Sequence, residues 1–213
     1  MALILHAHPL SSYCWKVLIA LYERELEFEL RLLDFGDSDA VQNFRSLWPI
    51  AKMPVLEDGE GVIVESSIII EYLDLHHPGP ARLIPADPEA ALDVRRLDRL
   101  FDNYVMAPVQ KIVGDRIRAA ESRDPQGVAD AFDALRTACA WFDSVVGDQW
   151  AAGDTFTLAD CAAAPAVYYA DRVRRLAEFP ALSAYLDRLK ARPSVARAIA
   201  ESVPWQHLFP TGD

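Results

Sequence analysis

The stretch from Lys52 to Leu73 limits the fold more than any other part of the chain. Val55-Leu56 and Val62-Ile63-Val64 are two short apolar runs separated by Glu57-Asp58-Gly59-Glu60-Gly61, a pattern that predicts a β-hairpin. Pro54 has no N–H to give a ladder, so it belongs at its strand's first position or in the turn before it. Met53 precedes a proline and is therefore held extended, with its own N–H and C=O available. An extended ligand can pair with such a segment as though adding one more strand. After the hairpin, Glu65-Ser66-Ser67 lead into the apolar helical run Ile68-Ile69-Ile70-Glu71-Tyr72-Leu73. Free N–H groups and the positive dipole end at that helix start suit a carboxylate. A backbone-docking strip beside a carboxylate site points to a small peptide ligand with an acidic end. A hairpin followed by a capped helix accounts for the same residues without any ligand.

Upstream, Ala2 to His6 reads as a short buried strand, and His8-Pro9-Leu10-Ser11-Ser12 as a turn with capping residues. Trp15 to Tyr22 is helical. Phe28, Leu30 and Leu32 alternate with Glu29 and Arg31, marking a half-buried second strand. A weaker helix is expected over Val41 to Leu47 and another from Ser66 to about His76. The order β-α-β-α-β-β-α matches a thioredoxin-like domain, and right-handed crossover makes the first two strands parallel.

His77-Pro78-Gly79-Pro80, with Pro85 and Pro88 beyond, marks a linker between domains spanning 1–78 and 88–213. Past it the pattern is helical only: Leu92 to Arg118, with a kink expected at Pro108, then Val128 to Val146, a helix containing Pro165, and two shorter ones after Pro180 and Pro193. Phe156-Thr157-Leu158-Ala159-Asp160 forms a capping box in which Asp160 reaches back to the Thr157 N–H. That assigns Asp160 a structural task rather than a catalytic one.

The net charge of −11 and the absence of a basic stripe argue against nucleic acid as a partner. Cys14, Cys139 and Cys161 are odd in number and lack metal spacing, which fits a reducing compartment and no disulfide framework. The start of the chain reads as a strand rather than a signal peptide, and no segment is long enough to span a membrane. A cytoplasmic protein without a metal is the expectation.

Met53-Pro54-Val55-Leu56 followed by Glu65-Ser66 resembles the glutathione-binding half of a glutathione S-transferase, and Thr157-Leu158-Ala159-Asp160 resembles that family's helical domain. The resemblance implies a thioredoxin-like N-terminal domain joined to an all-α domain, a cis Pro54, and glutathione as co-substrate. It also implies a homodimer with a contact through the helices that begin near Leu92 and Ser66. Arg95, Arg96, Asp98, Arg99 and Asp102 place both signs of charge where a two-fold contact can use them.

Glutathione attacks as a thiolate, and a free thiol has a pKa of about 8.5. Two units of depression correspond to about 2.7 kcal/mol, within reach of a hydroxyl donor at a helix N-terminus. Ser11-Ser12-Tyr13-Cys14-Trp15-Lys16-Val17 resembles the serine-containing signature of zeta- and tau-class enzymes, which implies Ser11 as the thiolate's donor and Lys16 as the matching basic position. Tyr13 stands where zeta enzymes carry a cysteine, and Ser12, Tyr13 and Cys14 stay open as alternatives. Glu65 and Ser66 are expected at the γ-glutamyl end and Lys52 at the glycyl carboxylate, where an exposed loop lysine is an equal reading. Tyr104, Pro108, Tyr168, Trp205 and Phe209 are candidates to line an apolar electrophile pocket. Conjugation of small hydrophobic electrophiles is the leading expectation. Isomerase, dehalogenase or peroxidase chemistry on the same fold is the alternative, as are a non-catalytic ligand carrier and a protein–protein adaptor.

Overall fold

The computed structural model describes residues 3–34 and 36–210. Met1 and Ala2, the latter assigned above to the first strand, lie outside the described residues. The N-terminal half runs β1 (Leu3–Ala7), α1 (Ser12–Glu23), β2 (Phe28–Leu32), α2 (Ser38–Leu47), β3 (Val55–Asp58), β4 (Gly61–Val64) and α3 (Ser66–His76). The sheet order is β2-β1-β3-β4, with β1 and β2 parallel and the other two pairings antiparallel. Asp58 pairs with Gly61, so the hairpin turns on Gly59-Glu60, and Gly59 takes φ 61°, the left-handed backbone that a tight hairpin loop requires. β2 departs from expectation. As the sheet edge it leaves Leu30 36% and Leu32 48% exposed, and of its alternating apolar residues Phe28 packs against the main core.

The C-terminal half is all helix: α4 (Pro88–Leu100), α5 (Ala107–Ile117), α6 (Pro125–Val145), α7 (Leu158–Val173), α8 (Pro180–Ala191) and α9 (Pro193–Ser202). α4 begins four residues before the expected Leu92, because Asp87 accepts from the Ala90 N–H at 2.9 Å and Pro88 takes the first helical position, where its missing N–H is harmless. The kink expected at Pro108 is absorbed just upstream. A π-helical turn, Phe101–Met106, shifts the ladder between α4 and α5, so Pro108 falls in the first turn of α5.

α7 is the central helix. It packs against α1 of the other half and against α4, α5 and α8, which is why it is rich in alanine and almost wholly buried. Asp160 is fully buried and accepts from the Thr157 N–H at 2.9 Å, the Ala151 N–H at 2.8 Å and the Tyr185 hydroxyl at 2.6 Å. Its oxygens are engaged inside the fold, so the structural assignment holds.

Candidate functional site

Three backbone features converge at the top of the sheet: the turn before α1, the strip before β3, and the start of α3. In the first, the Ser11 N–H donates to the His8 carbonyl at 2.9 Å, closing a β-turn with Pro9 at its second position. The turn is held from below. Trp15 Nε1 donates to the Pro9 carbonyl, and the Tyr169 hydroxyl to the Leu10 carbonyl at 2.8 Å. Ser11 is the N-cap of α1, its Oγ accepting from the Cys14 N–H at 3.3 Å. A hydroxyl has two lone pairs and one hydrogen. Capping uses a lone pair, so the hydrogen is left for a second partner.

The alternatives at this helix start separate cleanly. Cys14 is fully buried, and desolvation pushes its thiol up to about 11, so it is neither exposed nor ionised. Tyr13 is half-buried, and desolvation followed by the Asp102 charge raises its hydroxyl to about 12; it remains a protonated donor. Ser12 is nearly buried and lines the same pocket as Ser11.

In the second feature the Met53–Pro54 bond is cis, as the resemblance implied. Among the described residues neither the Met53 N–H nor its C=O makes a backbone hydrogen bond. In the third, Glu65 sits at the N-cap of α3 with φ 68° and ψ 116° and makes no capping bond. A non-glycine residue in that region carries strain of about 1–3 kcal/mol, and such strain concentrates at binding sites. Ser66, the next residue, is buried.

Two clefts meet here. The polar one, about 240 Å³, is lined by Lys52, Met53, Pro54, Glu65 and Ser66, joined by Tyr13, Arg99 and Asp102. It brings two cations, two carboxylates and a helix N-terminus together. The apolar one, about 480 Å³, takes Ser11 and Ser12 on one wall and Met106, Val109, Val113 and Phe209 on the others. Met53 and Gln110 line both.

Of the five aromatic and proline candidates for this apolar pocket, Phe209 lines it. Tyr104 and Pro108 line a separate groove with Trp141, on the α4–α6 side. Tyr168 packs on Trp15 with ring centroids 4.9 Å apart. Its neighbour Tyr169 faces the pocket instead, a 100° difference along α7 that composition does not reveal. Trp205 sits one layer back, edge-on to His8 at 5.0 Å. The residues missed, Met106, Val109 and Val113, follow a helical stripe that runs from the end of the π-helical turn into α5 and reads the same as core.

Lys16 is not a ligand group. It is fully buried and contacts the Asp98 carboxylate, Asp102 Oδ2 at 2.8 Å and Ser67 Oγ at 2.8 Å. This corrects the charge pattern read along α4. Asp98 and Asp102 face inward to Lys16, while Arg95 pairs with Glu71 and Arg96 with Asp93. The mixed charges are therefore largely satisfied within the chain.

Residues 5–81 match the family model of the glutathione S-transferase N-terminal domain, and residues 125–188 that of the C-terminal domain. A probable maleylacetoacetate isomerase of Vibrio cholerae is 31% identical, across 96% of this chain and 98% of that protein. A glutathione S-transferase of Pseudomonas putida is 29% identical, across 92% and 91%. A crystal structure of a Methylobacterium radiotolerans glutathione S-transferase in complex with glutathione sulfonate is similar at TM-score 0.79 and 31% identity, covering 100% of this chain and 97% of that one. With a four-stranded mixed sheet feeding a bundle of helices, and matches of this extent in both halves, the chain belongs to the glutathione S-transferase family.

Proposed function

We propose that the protein is a glutathione transferase that conjugates the glutathione thiolate to a small hydrophobic electrophile. The observation that carries this reading is the junction of the two clefts, one charged and one apolar, at Met53 and Gln110, with Ser11 on the wall of the apolar one. In the polar cleft, Ser66 and the N-terminus of α3 receive the γ-glutamyl carboxylate, and Glu65 receives its ammonium. The Met53 backbone pairs with the peptide, and Lys52 meets the glycyl carboxylate. The thiol then lies beside Ser11, whose hydroxyl hydrogen donates to the sulfur and favours the anion. Stabilisation by about 2.7 kcal/mol brings the thiol pKa down two units. The wall of the apolar pocket holds the electrophile against the sulfur, which supplies the proximity part of the acceleration.

The Vibrio cholerae relative favours a second reading, glutathione-dependent isomerisation. Against an acidic substrate stands the pocket lining, which contains no lysine, arginine, aspartate or glutamate among the described residues. A dianion there would go unpaired, at substantial desolvation cost. Isothermal calorimetry with glutathione, followed by turnover of alkyl halide, unsaturated carbonyl, hydroperoxide and maleylacetoacetate substrates, separates these readings. Binding with halide or enone conjugation is expected. Binding without any turnover would leave a ligand carrier. We further infer a cytoplasmic homodimer, supported by exposed Ile68, Leu75 and Leu92 on α3 and α4; light scattering that returns the mass of one chain would refute it.

A further inference from the structure

His8 is the residue of the apolar pocket that neither the sequence motifs nor the proposed transfer chemistry uses. It lines the pocket three positions before Ser11, in the same closed turn, so the two Cα atoms lie within about 7 Å of each other. Its tautomer is determined by a neighbour. The Leu10 N–H donates to His8 Nδ1 at 3.2 Å, so Nδ1 carries a lone pair and the neutral ring carries its hydrogen on Nε2. Desolvation by burial lowers the ring's pKa from its ordinary value, which keeps it neutral at neutral pH. Trp205 packs edge-on against the ring at 67° and limits its rotation.

The other donors of the pocket are differently placed. Ser11 is assigned to the sulfur, the Tyr169 hydrogen goes to the Leu10 carbonyl, and Gln110 is exposed at the mouth. Ser12 is the remaining rival, in the first turn of α1.

We propose that His8 donates its Nε2–H to the oxyanion that forms when the thiolate adds to an α,β-unsaturated carbonyl compound, making such acceptor-bearing electrophiles preferred substrates. The proposal rests on the transferase reading above. In the step, a sulfur lone pair forms the S–C bond to the β-carbon and the C=C π pair moves toward the carbonyl, leaving an enolate oxygen. His8 hydrogen-bonds that oxygen without giving up its proton. The α-carbon then takes a proton from water, replacing the one released when the thiol ionised. An alkyl halide reacts by displacement, with halide leaving and no oxyanion formed, so His8 has nothing to stabilise there.

The test is a ratio of two kcat/KM values, measured with benzylideneacetone and with benzyl chloride at saturating glutathione. His8→Phe keeps a ring against Trp205 and removes the donor. It is expected to lower kcat/KM for the enone about 10–100-fold, at or below the range for an oxyanion-hole donor, and to leave the halide within about threefold. His8→Asn, whose side chain can accept from the N–H two residues on while offering its own N–H, is expected to recover part of the enone loss. Equal losses on both electrophiles, or no loss, would overturn the role of His8, as would an enone-specific loss in Ser12→Ala that exceeds that of His8→Phe. Wild-type protein that binds glutathione yet turns over neither compound would overturn the transferase reading and this proposal with it. Halide turnover without enone turnover would overturn this proposal alone.

Discussion

Replacing Lys16 by methionine removes the only cation buried at the centre of the contact between the two halves, among the described residues, apart from Arg24 at the far end of α1. Methionine fills the space of the aliphatic stem, so the perturbation is mainly electrostatic. The side chain of Lys16 is 1% exposed, and those of Asp98 and Asp102 are 2% and 6%. Ser67 accepts from Lys16 and donates to Asp98 at 2.8 Å, so three helices lose a common partner. Breaking a buried pair by deleting one side costs about 3–5 kcal/mol. At 2–4 °C per kcal/mol for a chain of this size, the melting temperature falls by about 6–20 °C. The deficit depends on pH with a defined sign. Desolvation already holds the Asp102 carboxyl above its usual value of 3.8, and Lys16 is the leading influence that opposes this. Without Lys16 the carboxyl rises further. An acid with a raised folded pKa favours the fold fully below its unfolded value and loses that contribution as pH rises through the folded one. The variant is therefore least stable relative to wild type at pH 8 and closer to it at pH 5. Urea unfolding followed by tryptophan fluorescence at both pH values measures this. The triple variant K16M/D98N/D102N, with no charge left in this buried cluster, should recover most of the loss. A deficit under about 1 kcal/mol, or one equal at both pH values, would show that Lys16 does not hold the buried carboxylates in their charged form.

Ser11→Ala should cut turnover far more than glutathione affinity, raise the apparent pKa of the pH–rate profile by about a unit or more, and lower stability by about 1 kcal/mol through the lost cap. Normal turnover in Ser11→Ala with loss in Ser12→Ala would reassign the donor. Glu65→Gly relieves the positive φ and should stabilise the fold by about 1 kcal/mol while weakening glutathione binding; calorimetry and thermal melting read the two effects on one sample. Cys14, Cys139 and Cys161 are all buried with thiols raised by desolvation. Ellman's reagent at pH 8 should therefore find no reactive thiol in the native protein and all three in urea.

Much of the fold could be read from local rules because its signals are local. The hairpin follows from two apolar runs around a glycine-containing turn, and α7 from the capping box at Thr157 and Asp160. Five of the α-helices carry proline in the first turn. The site was partly legible. The residue order around Ser11, Pro54 and Glu65-Ser66 is contiguous, and each piece ends a strand or starts a helix. What stayed hidden depends on tertiary placement. Lys16 reads as a basic motif position until the inward faces of Asp98 and Asp102 are known. Tyr168 and Tyr169 cannot be told apart without the rotation of α7. The positive φ of Glu65 is a backbone property that its residue type does not announce. Tyr104 is apolar and at helical spacing, yet it faces a different groove from the one it was expected to line.

The most direct test of the account is a spectroscopic titration of the thiol of bound glutathione, followed by thiolate absorbance in the ultraviolet from pH 5 to 9. Ionisation is expected about two units below the ~8.5 of a free thiol, with a return to near that value in Ser11→Ala. A bound thiol that titrates at its free value in the wild-type protein, or glutathione that does not bind at all, would contradict it.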